Sequence, residues 1–460
     1  MKVFNDIRES GPAMLSPRDR LKKRFPRMLP LEERVKTFKP YLLGFEEEDA
    51  SWEARRCAYC NVCRKGCPAS LDIAGYVKAI AEGDLERALN IIVDGVAFPG
   101  ILGNVCTRRC EEHCVYWKPG APIGIMWLKG YVASKFDDYW DHLDLRIPET
   151  TKGSVAAVGA GPASLALGFY LRREGYDVTV YDYRPEVGGM VRYAIPTFRL
   201  PEEAMRKDFD MVLRTGIEFK GGVRVGEDVS FEELLSEHDA VFLGIGLQRS
   251  RKLGIPGEDL EGVYPALEFL IRVREGWRPR LEGKVGVIGG GDVAMDAART
   301  AVRLGAEEVT IFYRRREVDM PAGPQERQDA KEEGVKIVER VTPVEFVGGP
   351  ELRKMRYWLN EMVPQEGRRP KPVPIKDKVY EADLDYVIVA IGQEADYSLL
   401  PEEVRDRIVK GRWIPVDENG MTGYEGVFAG GDPVNDRGDV VSAVADAKRA
   451  VKGILRYLSG

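Results

Sequence analysis

Val155-Ala156-Ala157-Val158-Gly159-Ala160-Gly161-Pro162-Ala163-Ser164 is the stretch that decides the fold, and Val285-Gly286-Val287-Ile288-Gly289-Gly290-Gly291-Asp292-Val293-Ala294 repeats its plan 130 positions later. In each stretch an apolar strand runs into a glycine turn and then a helix. Glycines at such a turn let the backbone approach a pyrophosphate, whose charge is held at the helix N-terminus. A second apolar strand ending in glycine follows each unit, at residues 240–246 and 386–392. The sequence therefore predicts two dinucleotide-binding domains in tandem.

The order of the motifs predicts how the domains are arranged. A third glycine turn, at residues 426–432, follows the second unit, so we expect the C-terminal segment to complete the first domain around an inserted second one. Residues 1–150 lack strand-like alternation and space their apolar residues three and four apart, which indicates helices. The predicted fold class is α/β, with a helical N-terminal domain followed by two tandem Rossmann-like domains, the second inserted in the first. The predicted boundaries are 1–150, 151–264, 265–384 and 385–460, and residues 368–374 are expected to form an exposed loop.

The two units differ at the end of the strand that follows the helix. In the first unit this strand ends at Asp182, a carboxylate suited to accept hydrogen bonds from ribose hydroxyls. In the second unit it ends in Arg314-Arg315-Arg316, which favours a 2′-phosphate and hence NADP(H) over NAD(H). One departure in the first unit is Ser164, whose hydroxymethyl group stands at the third glycine position of the motif.

All seven cysteines fall between residues 57 and 114. Cys57-x2-Cys60-x2-Cys63-x3-Cys67-Pro68 has the bacterial ferredoxin spacing, in which the fourth cysteine serves a different cluster from the first three. Three further thiols follow, at Cys106, Cys110 and Cys114. The spacing predicts one or two [4Fe-4S] clusters, and structural zinc is the alternative. Since residues 115–460 contain no cysteine, they cannot hold the thiol pair of a disulfide reductase.

Composition excludes several other functions. The chain has 460 residues and a formal net charge of −6, which provides no basic field for nucleic acid. Three histidines leave almost no material for hydrolytic chemistry that depends on a histidine base. No apolar run approaches the roughly 20 residues of a membrane helix, and no secretion signal is evident. We therefore expect no nucleic-acid partner, no membrane span and a cytoplasmic location.

With these motifs in place, the chain resembles the small subunit of bacterial glutamate synthase and related flavin and iron–sulfur modules. Among these are the large subunit of bifurcating ferredoxin:NADP oxidoreductase and the N-terminal half of dihydropyrimidine dehydrogenase. The resemblance is carried by residues 53–57, 67–68, 72–73, 98–99, 106, 110–111, 159–164, 188–190, 195–196, 199–201, 255–258, 289–296, 313–315, 320–322, 390–393 and 430–432.

The resemblance implies the identity of the cofactors and the residues that bind them. It assigns residues 1–150 to clusters, 151–264 and 385–460 to FAD, and 265–384 to NAD(P). FAD would be held by Gly159, Gly161, Pro162, Ala163, Asp182, Gly189, Met190, Gly431, Asp432, Asp439, Val440 and Val441. NAD(P) would be held by Gly289, Gly290, Gly291, Asp292, Val293, Arg314, Arg315, Ala390 and Gly392. One cluster would take Cys57, Cys60, Cys63 and Cys114, and the other would take Cys67, Cys106 and Cys110 with a side-chain oxygen. No side chain is expected to be catalytic, because hydride passes directly between nicotinamide and flavin.

The chain departs from the family at two points. Lys129 aligns with the family's oxygen ligand of the second cluster, and a protonated amine has no lone pair to donate. The second site is therefore left with three alternatives, which are another oxygen ligand, a cluster short of one iron, or no cluster. The gap between Cys60 and Cys63 is also two residues shorter than in the family.

Together these features predict an electron-transfer subunit that moves electrons between NAD(P)H, FAD and N-terminal clusters, to or from a second oxidoreductase subunit. The alternative is a self-sufficient NAD(P)H-dependent flavin reductase that acts on a small molecule. A catalytically idle, cluster-bearing assembly subunit is a third reading.

Overall fold

The computed structural model describes residues 15–149, 151–435 and 437–459. Its N-terminal region is mainly helical, as predicted, with one unexpected two-stranded ladder. The elements are β1 (Arg27–Met28), α1 (Leu31–Arg34), β2 (Leu42–Gly44), α2 (Glu47–Arg55), α3 (Ile73–Ala81), α4 (Leu85–Val96), α5 (Pro99–Val105), α6 (Arg109–Glu112) and α7 (Ile125–Ser134). Short 3₁₀ turns lie at Asp19–Leu21, Val62–Gly66 and Trp140–His142.

Local sequence signals explain the helix ends that position the cysteines. The carboxylates of Asp72 and Asp84 accept hydrogen bonds from backbone N–H groups in the first turns of α3 and α4. Helices α5 and α7 cross where Gly103 lies against Gly130, so closely that a Cβ atom on either residue would collide with the other backbone. This close approach fixes the end of α5, and Cys106 follows directly.

The α/β region alternates strands and helices in the predicted order. It begins with β3 (Ser154–Val158), α8 (Pro162–Glu174), β4 (Asp177–Asp182), α9 (Met190–Tyr193), α10 (Glu202–Leu213), β5 (Glu218–Gly221), α11 (Phe231–Glu237), β6 (Ala240–Leu243) and β7 (Arg249–Ser250). It continues with β8 (Val263–Pro265), α12 (Ala266–Arg274), β9 (Lys284–Gly289), α13 (Asp292–Arg303), β10 (Glu308–Tyr313), a 3₁₀ turn (Glu317–Asp319), α14 (Pro324–Glu332) and β11 (Lys336–Glu339). It ends with β12 (Val341–Gly348), β13 (Leu352–Gln365), β14 (Arg368–Asp383), β15 (Tyr386–Ala390), β16 (Gln393–Glu394), α15 (Glu402–Ile408), β17 (Val427–Ala429) and α16 (Val440–Leu458).

Two five-stranded parallel sheets form the core of this region. The first has the order β17-β6-β3-β4-β5, and the second has the order β11-β10-β9-β15-β8. Because β17 joins the first sheet after the whole second sheet has been completed, the predicted insertion is confirmed. Two boundaries need correction. The predicted second domain began at residue 265, but β8, an edge strand of its sheet, begins at Val263. The predicted second domain ended at residue 384, but β15 pairs with β9 from Tyr386 to Ala390, so this sheet extends beyond the predicted end.

A three-stranded antiparallel sheet, β12-β13-β14, projects from the second domain. The prediction of a loop at residues 368–374 is wrong, because these residues begin β14 and pair with β13. The sheet tolerates three prolines, Pro370, Pro372 and Pro374, because β14 is an edge strand. Residues on its open side need no N–H to pair with another strand.

The segment from Arg34 to Tyr41 ties the N-terminal region to both α/β domains. The Tyr41 hydroxyl donates to Asp329 of α14 at 2.6 Å, and the Tyr41 backbone N–H donates to the Phe198 carbonyl at 3.0 Å. Arg34 pairs with Glu332 at 2.8 Å.

Within the described ranges, no single helix is long and apolar enough to cross a membrane. Helices α4 and α5 meet those criteria only as a pair bent by 81°.

Candidate functional site

The first glycine turn needs its glycines for two different reasons. Gly159 has φ +91°, and a Cβ atom there would lie 2.7 Å from the Gly244 carbonyl oxygen at the end of β6. Gly161 has an ordinary φ of −82°, and a Cβ atom there would touch nothing closer than 4.0 Å. No contact within the protein therefore requires a glycine at position 161. The space beside it, at the uncapped N-terminus of α8, is a cradle for a ligand phosphate.

The unusual serine of this turn is accommodated by a second glycine. Ser164 is fully buried where α8 packs on the sheet, and its hydroxyl has no hydrogen-bond partner. Gly244 lies opposite, and a Cβ atom on it would collide with that hydroxyl. The motif usually has its small residue on the helix. Here the helix carries Ser164, and the small residue is Gly244, directly after the facing strand β6.

Asp182 lies at the end of β4, beside the turn. One carboxylate oxygen accepts from the Ala160 backbone N–H at 2.6 Å, and the other accepts from the Arg184 N–H at 2.8 Å. Burial raises the pKa of this carboxyl, and the two hydrogen bonds oppose that effect. Each oxygen keeps a lone pair for a ribose hydroxyl.

These residues open into one large cavity between the two α/β domains. It is lined by every residue predicted to hold FAD except Val441, which is buried in α16. Asp432 lies in this wall, and burial together with the charge of Asp439 raises its pKa to about 6.

The second glycine turn repeats the geometry of the first. Gly289 has φ +150° and lies so close to Ala390, at the end of β15, that a Cβ atom would collide with the Ala390 carbonyl oxygen. Gly291 is free of such contacts, because a Cβ atom there would meet only Pro321 at 3.8 Å. The N-terminus of α13 has no side-chain cap, so its amides are also able to bind a phosphate.

Some of the predicted NAD(P) residues line the cavity, and the others lie at the carboxyl ends of strands in the second sheet. Asp292 and Val293 line the same cavity as the flavin residues, and one oxygen of Asp292 is buried there without a partner. Gly289, Gly290, Ala390 and Gly392 lie at the carboxyl ends of β9 and β15. Arg314 and Arg315 follow β10.

Sequence reasoning missed the ion pair that joins the domains across this cavity. Arg199 donates to both oxygens of Asp296 on α13, at 2.8 and 2.9 Å, and to Glu326 on α14 at 2.9 Å. Arg199 and Asp296 both line the cavity. Both lie within the segments that carry the family resemblance, which was the available signal.

The structure gathers the seven cysteines into two groups. Cys57, Cys60, Cys63 and Cys114 line one small cavity, which we call the outer group because Cys60 is exposed. Burial raises the pKa of Cys57 and of Cys63 to about 12, and the other thiolates of the group add to the shift. Cluster binding would displace those protons.

Cys67, Cys106 and Cys110 form the second, inner group. Burial raises the pKa of Cys110, and the charges of Cys106 and Cys67 raise it further. These residues come together where Gly66 packs against α6. A Cβ atom on Gly66 would lie only 2.8 Å from the Arg109 carbonyl oxygen. Lys129 is buried, and its charge lowers the pKa of Cys110. The inner group thus offers three cysteine sulfurs beside a buried lysine.

Three residues in the loops around the cysteines have positive φ angles. Tyr59, Asn61 and Arg108 adopt left-handed backbone conformations, with φ of 52°, 56° and 57°, which non-glycine residues rarely adopt. The Tyr59 backbone N–H donates to the Cys57 sulfur at 3.3 Å. Such amides aimed at thiolates tune the potential of a bound cluster.

The inner group adjoins the flavin cavity. Val105 and Thr107, which flank Cys106, line the cavity, and the Thr107 hydroxyl is buried without a partner. Arg109, which precedes Cys110, pairs with Asp439 of the cavity wall at 2.5 Å. The inner group therefore borders the flavin cavity through the residues on either side of Cys106.

These donor sets fit the groups that the sequence implied. The cradles at Gly161 and Gly291 suit two dinucleotides, the outer group supplies four thiolates, and the inner group supplies three. Across the described ranges, no three His, Cys, Asp or Glu side chains are arranged to hold a single metal ion.

Two family models match the chain, one in the N-terminal helical region and one in the α/β region. Residues 153–450 match the model of the pyridine nucleotide-disulphide oxidoreductases, and residues 34–139 match that of dihydropyrimidine dehydrogenase domain II, 4Fe-4S cluster. The predicted FAD and [4Fe-4S] cofactors are confirmed at the level of these families.

Two curated relatives cover most of the chain. The glutamate synthase [NADPH] small chain of Halomonas elongata is 34% identical over 94% of this chain and 96% of its own length. The NADP(+)-dependent formate dehydrogenase subunit beta of Moorella thermoacetica is 37% identical over 86% of this chain. The chain spans only 60% of the Moorella protein's length.

The α/β region also resembles a solved structure. FprA of Mycobacterium tuberculosis in complex with NADPH aligns with a TM-score of 0.57 over 67% of this chain and 85% of that protein, at 20% identity. This similarity supports the fold.

Proposed function

The chain belongs to the pyridine nucleotide-disulphide oxidoreductase family, together with the small chains of NADPH glutamate synthase, and we propose that it is the electron-input subunit of a larger oxidoreductase. It is an NAD(P)H-dependent oxidoreductase, and NADPH is its proposed nucleotide. The relatives from Halomonas and Moorella, whose names specify NADPH and NADP(+), support that preference, as does Arg314 at the end of β10.

The observation behind the proposal is that neighbouring sites adjoin. Asp292 beside the second glycine turn, and Val105 and Thr107 beside Cys106 of the inner group, line one shared cavity. Cys67 of the inner group follows Cys63 of the outer group by four residues, and Cys60 of the outer group is exposed. When bound, FAD accepts a hydride from the nicotinamide and releases its electrons singly to iron–sulfur clusters. The adjoining sites therefore support a path that starts at the nucleotide and ends at the surface.

The chain's own residues align and insulate this path. The amides beside Gly161 and Gly291 hold the two pyrophosphates. Arg199 links the two domains through Asp296, and this ion pair would help to position the two cofactor sites relative to each other. The thiolates of the inner and outer groups hold the clusters.

We propose that the partner is a second oxidoreductase subunit that docks near Cys60, the exposed cysteine of the outer group. The name of the Moorella relative describes it as a subunit, which supports assembly with other chains. Disulfide reduction is disfavoured, since residues 115–460 contain no cysteine. A cytoplasmic location accompanies this proposal.

Anaerobic purification followed by flavin, iron and acid-labile sulfide analysis tests the cofactor content. We expect FAD and at least one four-iron cluster per chain, and NADPH should bleach the flavin. Zinc without sulfide would refute the cluster assignment, and a flavin that NADPH does not reduce would refute the enzyme assignment.

The two cysteine groups are tested by Cys57→Ala and Cys67→Ala. We expect each variant to lose a different electron paramagnetic resonance signal after dithionite reduction, because the fourth cysteine of the ferredoxin spacing serves a separate cluster. Loss of one and the same signal in both variants would mean that the chain holds a single cluster.

A further inference from the structure

Four arginine side chains converge beyond the second glycine turn, from three separate parts of the chain. Arg314 and Arg315 follow β10, Arg251 follows β7, and Arg369 is the second residue of β14 in the antiparallel sheet. Within the part of the chain that the structure describes, no carboxylate forms an ion pair with any of them. Partial burial lowers the pKa of Arg314, and the positive charges of the other three groups lower it further.

Backbone contacts hold these arginines in place. The Arg315 Nε donates to the Pro370 carbonyl at 2.7 Å, which brings the start of β14 against the end of β10. Asn360 of β13 donates to the Arg314 carbonyl at 2.9 Å. The antiparallel sheet is therefore bound to the strand end that was predicted to recognise the nucleotide.

The other two arginines are anchored at either side of this strand end. The Arg251 backbone N–H donates to the Gly392 carbonyl at 3.0 Å, next to the end of β15. The Arg369 guanidinium reaches the Asp319 carbonyl at 3.4 Å, in the turn that follows Arg316. Both side chains are exposed.

Like charges held together without a counterion disfavour the folded state, and an anion of high charge relieves that repulsion. Arg316, the neighbour of these four arginines, differs from them because its guanidinium forms an ion pair with the Asp319 carboxylate at 2.8 Å. The four unpaired guanidinium groups therefore form a site for a dianion, and a 2′-phosphate is the dianion that this strand end would receive.

We propose that Arg251 and Arg369 complete the 2′-phosphate site of NADP(H), so that the inserted antiparallel sheet contributes to nucleotide specificity. The inference rests on the proposed function, which identifies the nucleotide that binds here. It adds a role for a sheet that contributes no residue to either glycine turn.

The test is calorimetric binding of adenosine 2′,5′-bisphosphate and of AMP to the purified holoprotein. Arg369→Gln should weaken binding of the bisphosphate about fivefold, the upper range for an exposed ion pair, and leave AMP binding unchanged. Arg251→Gln should act similarly. Arg368→Gln is the matched control, because it removes the same charge from the neighbouring exposed position of β14.

Equal weakening of both ligands, or bisphosphate binding that neither Arg369→Gln nor Arg251→Gln alters, would overturn the proposal. An unchanged melting temperature in each variant separates lost recognition from lost structure. The proposed function fails separately, if NADPH does not bleach the flavin of the wild-type protein, and that result is independent of how the bisphosphate binds.

Discussion

The two strand–turn–helix units share a backbone and differ in charge. In both, the first glycine is pressed against the end of a neighbouring strand, and the second borders open space at an uncapped helix N-terminus. At the next strand end, Asp182 already accepts two backbone hydrogen bonds, whereas Arg314 has no carboxylate partner among the described residues. We therefore infer that the shared backbone binds a dinucleotide and that the side chain at the strand end selects which one.

The difference also distinguishes a resident cofactor from an exchanging one. Each oxygen of the Asp182 carboxylate already accepts one backbone hydrogen bond, and the carboxylate borders the cavity between the two domains. Arg314 is exposed and has no carboxylate ion-pair partner among the described residues, so we infer that bound nucleotide supplies its counterion. We therefore expect FAD to copurify with the chain and NADP(H) to dissociate readily.

The largest expected effect comes from filling one cradle at a time. Gly161→Ala should fold normally, since φ is ordinary and the new methyl group meets no protein atom closely, yet its preparation should contain almost no FAD. Gly291→Ala should retain FAD and lose NADPH binding. Flavin absorbance, NADPH titration and circular dichroism measure these outcomes. A Gly161→Ala protein with its full complement of FAD would show that the first turn does not hold the pyrophosphate.

Charge at the second strand end should have the next largest effect. A charge-assisted hydrogen bond contributes about 1.5 to 3 kcal/mol, so Arg314→Ala should weaken NADPH use by about one to two orders of magnitude and leave NADH use nearly unchanged. The measurement is kcat/KM for flavin reduction with each nucleotide. Arg316→Ala is the control, because this arginine is already paired with Asp319. If both nucleotides lose equally, the arginine at this position serves structure alone.

The smallest effect concerns the third position of each turn, where the first unit has Ser164 and the second has Ala294. Ser164→Ala removes a buried hydroxyl that has no partner, and Gly244 leaves room on the opposite side. We expect the free energy of unfolding to rise by about 1 kcal/mol, the cost of leaving such a group unsatisfied, with unchanged FAD content. Denaturant midpoints of the two holoproteins measure this. A lower midpoint for the variant would reveal an interaction of the hydroxyl with bound flavin.

Sequence reasoning reached the features that depend on local chemistry. Both glycine turns, the inserted arrangement of the domains and the helical cysteine region follow from patterns only a few residues long. The loop expected at residues 368–374 was wrong because three prolines read as turn signals, and only the sheet order shows that β14 is an edge strand. The domain boundary at residue 384 was wrong because residues 386–392 were placed with the C-terminal segment, although the repeat had assigned them to the second unit, and β15 pairs with β9 of that unit.

Long-range contacts were beyond the reach of sequence patterns. The spacing left open which downstream cysteine joins the first three, and only the fold brings Cys114 beside them. The ion pair between Arg199 and Asp296 joins residues almost a hundred positions apart. The convergence of Arg251 and Arg369 on one strand end likewise depends on the packing of an entire sheet.

The central claim is that electrons entering at the nucleotide leave through the cysteine groups. It is tested by stopped-flow bleaching of the flavin with NADPH, beside steady-state reduction of the acceptor subunit that copurifies with the native chain. We compare wild type with a Cys60→Ala protein that still binds FAD. We expect bleaching at the wild-type rate and abolished delivery to the acceptor, because hydride transfer needs no iron. Undiminished delivery in the variant would contradict the central claim and would favour a self-sufficient reductase that uses the flavin directly.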